Sequence, residues 1–274
     1  MSIRFWGLFN LPKTQTVFRG GGGAITHCAI LSNKWHEYLY NDINPLATNL
    51  FLDAIHGKYA NESRVISRED FHRLKDSDGY VAYLWSFGNS PQKNYLWSRE
   101  TEEIKFTACR MLMSPTLSER RAAYREFIKL LSEWKPDKRL EPLERLQAVE
   151  RLQALSALQS LQRLESLQRL ESLNIDYREY QHKAGDVVYC DIPYEMAEGG
   201  KKSKENDYGV GFNHAEFYEW VKTRPFQVFF SSYQIGGNGF YCRKVKEINS
   251  IMSAASNSKR ITEYLYSNRP FSQA

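Results

Sequence analysis

Hydrophobic positions along this chain fall into short strand-like runs, helical stripes and one strict repeat. Val187–Cys190 is β-branched, aromatic and uncharged, the pattern of a buried strand. It stops at Asp191, and Pro193 prevents its continuation in a paired central strand. Gln227–Ser231 reads as a second buried strand, and Tyr38–Tyr40 as a short one ending at Asn41-Asp42-Ile43-Asn44-Pro45. Asn174-Ile175-Asp176-Tyr177 is taken as another strand end, closing on an acid and an aromatic. Helical stripes cover Ala24–Leu31, Leu46–Ile55, Arg68–Leu74, Glu119–Trp134 and His214–Lys222. Phe240–Lys246 and Lys259–Tyr266 read as the two arms of a strand pair, and the opening of the chain as turn-rich. Strands alternating with helices on both sides of a long insertion predict an α/β fold.

Between Leu140 and Leu173 an apolar residue recurs at every third position, separated mainly by Gln, Arg, Glu, Ser and Ala. These spacers favour helix. A period of three does not match 3.6 residues per turn, so the stripe drifts by about 60° per step and excludes a single coiled-coil seam. The reading is a helix, or a tight helical solenoid, packed against more than one surface, with a β-solenoid and then a disordered linker as the alternatives. The resulting organisation is a first core segment at 1–58, an insert at 59–139, the repeat at 140–173 and a second core segment at 174–274.

Composition narrows this picture only a little. A 42% hydrophobic and 14% aromatic content fits a folded chain with a substantial core. No apolar run approaches the length of a membrane span. Met1–Gly7 lacks the pattern of a secretory signal, and Cys28, Cys109, Cys190 and Cys242 show no metal-ligand spacing. A reduced, cytoplasmic protein without structural metal is expected. The net charge of +5 permits a polyanionic partner.

Three constellations carry chemistry. Gly20–Gly23, a following helix and Asp42 about 20 residues on have the spacing of a nucleotide-type cofactor site. There, glycines permit close backbone approach and the acid accepts hydrogen bonds from ribose hydroxyls. Asp191-Ile192-Pro193-Tyr194 presents oxygen acceptors and a ring at a strand's C-terminal end, a combination suited to a flat, amine-bearing ring. Between them, Arg64, Arg68, His72, Arg73, Lys75, Lys93 and Arg99 interleave with Tyr80, Tyr83, Trp85, Tyr95 and Trp97. Bases alternating with rings suit phosphate contact and base stacking; the plainer reading is a helical subdomain whose rings form its own core.

In this order the motifs resemble the Dam-like class of adenine-N6 DNA methyltransferases. The likeness rests on Phe18 with Gly20–Gly23 and Ala24-Ile25-Thr26-His27, then Asn41-Asp42-Ile43-Asn44, Trp85-Ser86-Phe87-Gly88-Asn89 and Asp176-Tyr177. It continues through Asp191-Ile192-Pro193-Tyr194, Phe212-Asn213-His214 and Val228–Ser231. It implies a Rossmann-like methyltransferase sheet carrying a mostly helical insertion subdomain with the Leu-rich repeat. It also implies S-adenosyl-L-methionine as cofactor, double-stranded DNA as partner and methylation of a flipped-out adenine. The resemblance assigns cofactor binding to Phe18, Gly20, Gly21, Gly22, Asp42, Asp176 and Tyr177. Asp191 and the carbonyl of Ile192 would hold the target amine, and Pro193 and Tyr194 would complete the catalytic loop, with Tyr194 stacked on the base. A restriction endonuclease companion stays open, as does the choice between monomer and weak dimer.

Two departures from the family pattern stand out. Ile192 replaces the first proline of Asp-Pro-Pro-Tyr, and Ile3–Thr16 contains no match to the Gly- and Lys-containing cofactor motif ahead of the first strand. Two other readings therefore stand beside the first: a catalytically impaired DNA-binding remnant of the same fold, and a methyltransferase acting on RNA or on a protein amide. His27, His214, Trp85, Lys201 and Lys202 read as structural or solvated residues.

Overall fold

Short β-branched and aromatic runs, most of them four residues long, assemble into one seven-stranded sheet. The computed structural model describes residues 16–19, 23–87, 94–133, 147–163, 169–182, 185–193, 212–233, 239–249 and 260–271. The strands are β1 (Thr16–Arg19), β2 (Tyr38–Asn41), β3 (Leu170–Leu173), β4 (Val187–Cys190), β5 (Gln227–Ser232), β6 (Tyr241–Asn249) and β7 (Arg260–Ser267). They lie in the order β3-β2-β1-β4-β5-β7-β6. The first five are mutually parallel, and β7 runs antiparallel to both β5 and β6. Every residue of β2 and β4 is buried, as expected of parallel strands covered on both faces. The order reverses between β1 and β4, and in parallel sheets the crevice outside the carboxyl ends at such a point receives ligands.

The chain divides into two compact units, residues 1–48 with 163–274 and residues 49–162. In the first, the helix α1 (Ala24–Ser32) begins directly after Gly23, whose φ of +71° is readily adopted only by glycine. The helix α8 (His214–Lys222) is capped by the Asn213 side chain, which accepts the Glu216 N–H. Its Phe217, Tyr218, Trp220 and Val221 bury against Val188, Cys190, Ile192, Val228 and Phe230. Each such large apolar side chain contributes roughly 1.5–3 kcal/mol by leaving water.

The second unit holds most of α2 (Pro45–Ile55), then α3 (Arg68–Leu74), α4 (Gly79–Leu84), α5 (Arg99–Met113), α6 (Leu117–Glu133), α7 (Gln147–Ala157) and a 3₁₀-helix, Leu158–Arg163. Ser67 and Asp78 cap α3 and α4 by accepting first-turn N–H groups. Arg151 of α7 donates to the carbonyls of Tyr83 (3.3 Å), Leu84 (2.5 Å) and Ser86 (3.0 Å), satisfying the end of α4. The core is aromatic: Tyr59, Phe71, Tyr80, Trp85, Tyr95 and Trp97 are all buried. Among the described residues of the chain, no helix is long and apolar enough to cross a membrane.

Three local readings change. The opening contains a central strand, β1, which four residues of mixed character do not announce. The strand expected at 174–177 lies four residues earlier, as β3, so Asn174–Tyr177 is the loop at its carboxyl end. The repeat is not one helix or solenoid: it supplies α7, the 3₁₀-helix and β3 in succession. Along α7 the stripe Val149, Leu152, Leu155 drifts slowly enough to keep one face on the aromatic core. In the 3₁₀-helix three residues make one turn, so Leu158 and Leu161 align, and Leu161 is fully buried. The leucines are thus inequivalent: Leu161→Ala should cost about 3 kcal/mol in urea unfolding, and Leu170→Ala, half-exposed on β3, less than half as much. Equal losses would contradict this division of the repeat.

Candidate active site

The site is built at the carboxyl ends of β2, β1 and β4. Register sets Asn41, Arg19 and Cys190 side by side, so the next residues along the chain are Asp42, Gly20 and Asp191. Two acids thus flank the strand between them, at roughly 10 Å by inter-strand spacing. On the other side of Asp191, Ser231 follows Phe230, the partner of Cys190, and β7 sets Leu265 opposite Ser231. Glu263, two residues along β7, falls on the same face of the sheet.

This row of carboxyl groups governs the electrostatics. Burial raises the Asp191 pKa from 3.8 to about 6, and the negative charges of Glu263 and Asp42 push it in the same direction. Asp42 is itself 4% exposed. Its Oδ1 accepts the Asn44 N–H at 2.9 Å, an Asx turn that closes the strand end.

The loop after β3 is fastened to the loop after β2 by two asparagines. The Asn41 side chain exchanges hydrogen bonds with the Ile175 backbone, Nδ2 to O at 2.9 Å and N–H to Oδ1 at 3.1 Å. Asn174 Nδ2 donates to the Asp42 carbonyl (2.8 Å) and to Thr48 Oγ1 (2.7 Å). These contacts hold Asp176 and Tyr177 near Asp42. The Asp176 carboxylate is gripped at both oxygens by Arg178, at 2.8 and 2.9 Å. The Tyr177 ring packs edge-on against Phe217 and Trp220, and burial pushes its phenol up to about 12.

In the loop after β4, Ile192 is buried within the apolar cluster beneath α8. Ile192 therefore anchors the loop by packing. The Pro193 carbonyl lies 2.7 Å from His214 Nε2, which donates to it. Tyr189, at the end of β4, shares a buried hydrogen bond of 2.9 Å with Ser231.

Asp42, Asp191 and the 174–177 loop are thus gathered at one edge of one sheet. Phe18 lies on β1; Gly20, Gly21, Gly22, Tyr194, Gly88, Asn89, Lys93, Lys201 and Lys202 lie outside the described residues. His27 sits in the first turn of α1, and burial lowers its pKa. Trp85 is core. Glu263 carries no motif and is revealed by its place on β7, while the tying roles of Asn41 and Asn174 come from their hydrogen bonds.

The interleaved bases and rings of the insert serve the second unit itself. Arg64 pairs with Glu62 and Asp78 and lies 4.8 Å from the Tyr80 ring centre. Arg68 pairs with Glu102, donates to the Trp97 carbonyl and lies 4.9 Å from the Tyr95 ring centre. Tyr80, Trp85, Tyr95 and Trp97 are no more than 4% exposed, so they do not offer faces for base stacking. No protein-family model matches the chain, and no curated protein does.

The Asp191 shift has a consequence for stability. Folding raises this pKa, so the ionised carboxylate is disfavoured in the folded state. Its contribution is most favourable below about pH 4 and declines as pH rises through 6. Asp191→Asn should therefore match the wild type at pH 4 and exceed it by about 2 kcal/mol at pH 8 in denaturant unfolding. A variant less stable than wild type at pH 8 would refute the strained carboxyl.

Proposed function

We propose that this protein is an S-adenosyl-L-methionine-dependent DNA methyltransferase acting on the exocyclic nitrogen of adenine. The observation that carries the proposal is Asp191, half-buried at the carboxyl end of β4 with Asp42 and Glu263 on the same edge. Ionisable groups displaced in this way concentrate at functional sites. A row of buried and half-buried acids suits a ligand bearing positive charge, and the cofactor has both a sulfonium and an ammonium group. The parallel strand order β3-β2-β1-β4-β5 is that of doubly wound, nucleotide-binding sheets and supports the Rossmann-like reading. Asp42, directly after β2, is at the kind of strand end by which such sheets hold a nucleoside, which supports the reading.

The cofactor, when bound, supplies an electrophilic methyl group; the chain's own residues prepare the acceptor. Asp42 would take ribose hydroxyls and Asp176–Tyr177 would border the cofactor's adenine ring. The lone pair of adenine N6 is delocalised into its ring, so the free amine is a weak nucleophile. Asp191 and the Ile192 carbonyl, accepting its two hydrogens, favour the tetrahedral nitrogen and stabilise positive charge as it develops. Asp191 must be ionised to accept most strongly. The apolar packing of Ile192 takes over the rigidity that a second proline would supply. The DNA part of the reading rests on the resemblance, as Arg64 and Arg68 of the insert are engaged with acids and rings of their own unit.

The test is methyl transfer from labelled cofactor to unmethylated DNA. Asp191→Ala should lower transfer by a factor of about 100 or more, with the cofactor KM changed by no more than about threefold. Equal transfer by both proteins would refute the role of Asp191. For the wild type, kcat/KM for the cofactor should rise with pH through about 6 and level off above, because the ionised carboxylate is the competent form. A profile flat from pH 5 to 8 would contradict the assignment.

A further inference from the structure

Beyond the acids, a polar side chain of α8 reaches the loop that carries Asp191. His214, the first residue of α8, donates from Nε2 to the Pro193 carbonyl at 2.7 Å. A proline cannot anchor its loop through an N–H, so its carbonyl is the main-chain group left for a tie. We propose that His214 is a positioning residue that holds the 191–193 loop, and with it the Asp191 carboxyl and the Ile192 carbonyl, in register with the sheet. The catalytic consequence rests on the methyltransferase reading; the positioning itself does not.

A group can position another only if it is itself fixed, and His214 is fixed from several directions. Its ring packs against Phe212 (centroids 5.0 Å apart) and Tyr218 (6.1 Å). Asn213 caps the helix by accepting the Glu216 N–H at 3.1 Å. Glu216 in turn binds Arg178, which grips both oxygens of Asp176. The same helix end therefore touches two loops at the carboxyl edge of the sheet, the one after β3 through Arg178 and the one after β4 through His214. The contact needs only a donor at Nε2, which both the neutral Nε2–H tautomer and the imidazolium provide.

Two substitutions separate the hydrogen bond from the packing. His214→Phe keeps a ring against Phe212 and Tyr218 but removes the donor; His214→Gln gives up the ring and returns an N–H of similar reach. Amide hydrogen exchange of the peptide spanning residues 187–194, measured without cofactor or DNA, should quicken by about tenfold in the phenylalanine variant. It should return close to wild type in the glutamine variant. In methyl transfer, kcat should fall by about tenfold for His214→Phe with cofactor KM unchanged, and recover for His214→Gln. Exchange as slow in His214→Phe as in wild type would overturn the proposal, as would equal quickening in both variants, which would mark the ring as packing only. Should the wild type transfer no methyl group, the exchange pattern still decides the positioning role and the methyltransferase reading alone fails.

Discussion

The structure turns on the cost of holding the half-buried Asp191 carboxyl beside two other acids, Asp42 and Glu263. Desolvation and like charge both oppose ionisation of Asp191. Nothing in packing alone requires an acid there. The elements around it accept that cost: β4 is buried along its whole length, Ile192 pins the next residue into the core, and α8 closes over the cluster beneath. Under the proposed reading, the opposing charge comes with the ligand. A site that is electrostatically unfavourable when empty then becomes complementary on binding a cation.

Polar side chains elsewhere serve to join strand ends. Asn41 imitates a stretch of backbone pairing where β2 and β3 have stopped, and Asn174 ties the same loop to Asp42 and Thr48. Such ties hold loops whose backbone groups have lost their sheet partners. In the second unit the same economy is achieved with arginine. Arg64, Arg68 and Arg151 cover aromatic faces or cap helix carbonyls, so these three bases serve the unit itself. The exposed bases left on α6, Arg121 and Arg125, lie among exposed Leu117, Tyr124 and Ile128.

Much of the fold was legible because the core strands are short, apolar and sharply bounded. Val187–Cys190 ends at an acid and a proline, and Gln227–Ser232 is flanked by Pro225 and a run of glycines, so both declare themselves. The helix after Gly23 and α8 after Asn213 carry their start signals in the sequence. β1 escaped notice because Thr-Val-Phe-Arg is too short to show alternation; its place comes from pairing on both sides. β3 was hidden inside a repeat whose spacers favour helix, and tertiary pairing with β2 overrides that preference. Asp42 and Asp191 stand out beside glycines and a proline. Glu263 does not, because its relevance arises from an antiparallel strand that returns some 70 residues later. The alternation of bases and rings was visible, but sequence could not distinguish a surface that meets nucleic acid from side chains that meet each other.

The most direct test is to follow the Asp191 carboxyl carbon by NMR as pH is varied, first in the free protein and then with S-adenosyl-L-methionine present. The account predicts a midpoint near 6 in the free protein that moves to lower pH once the cationic cofactor is bound. A midpoint near 4 that does not respond to the cofactor would contradict it.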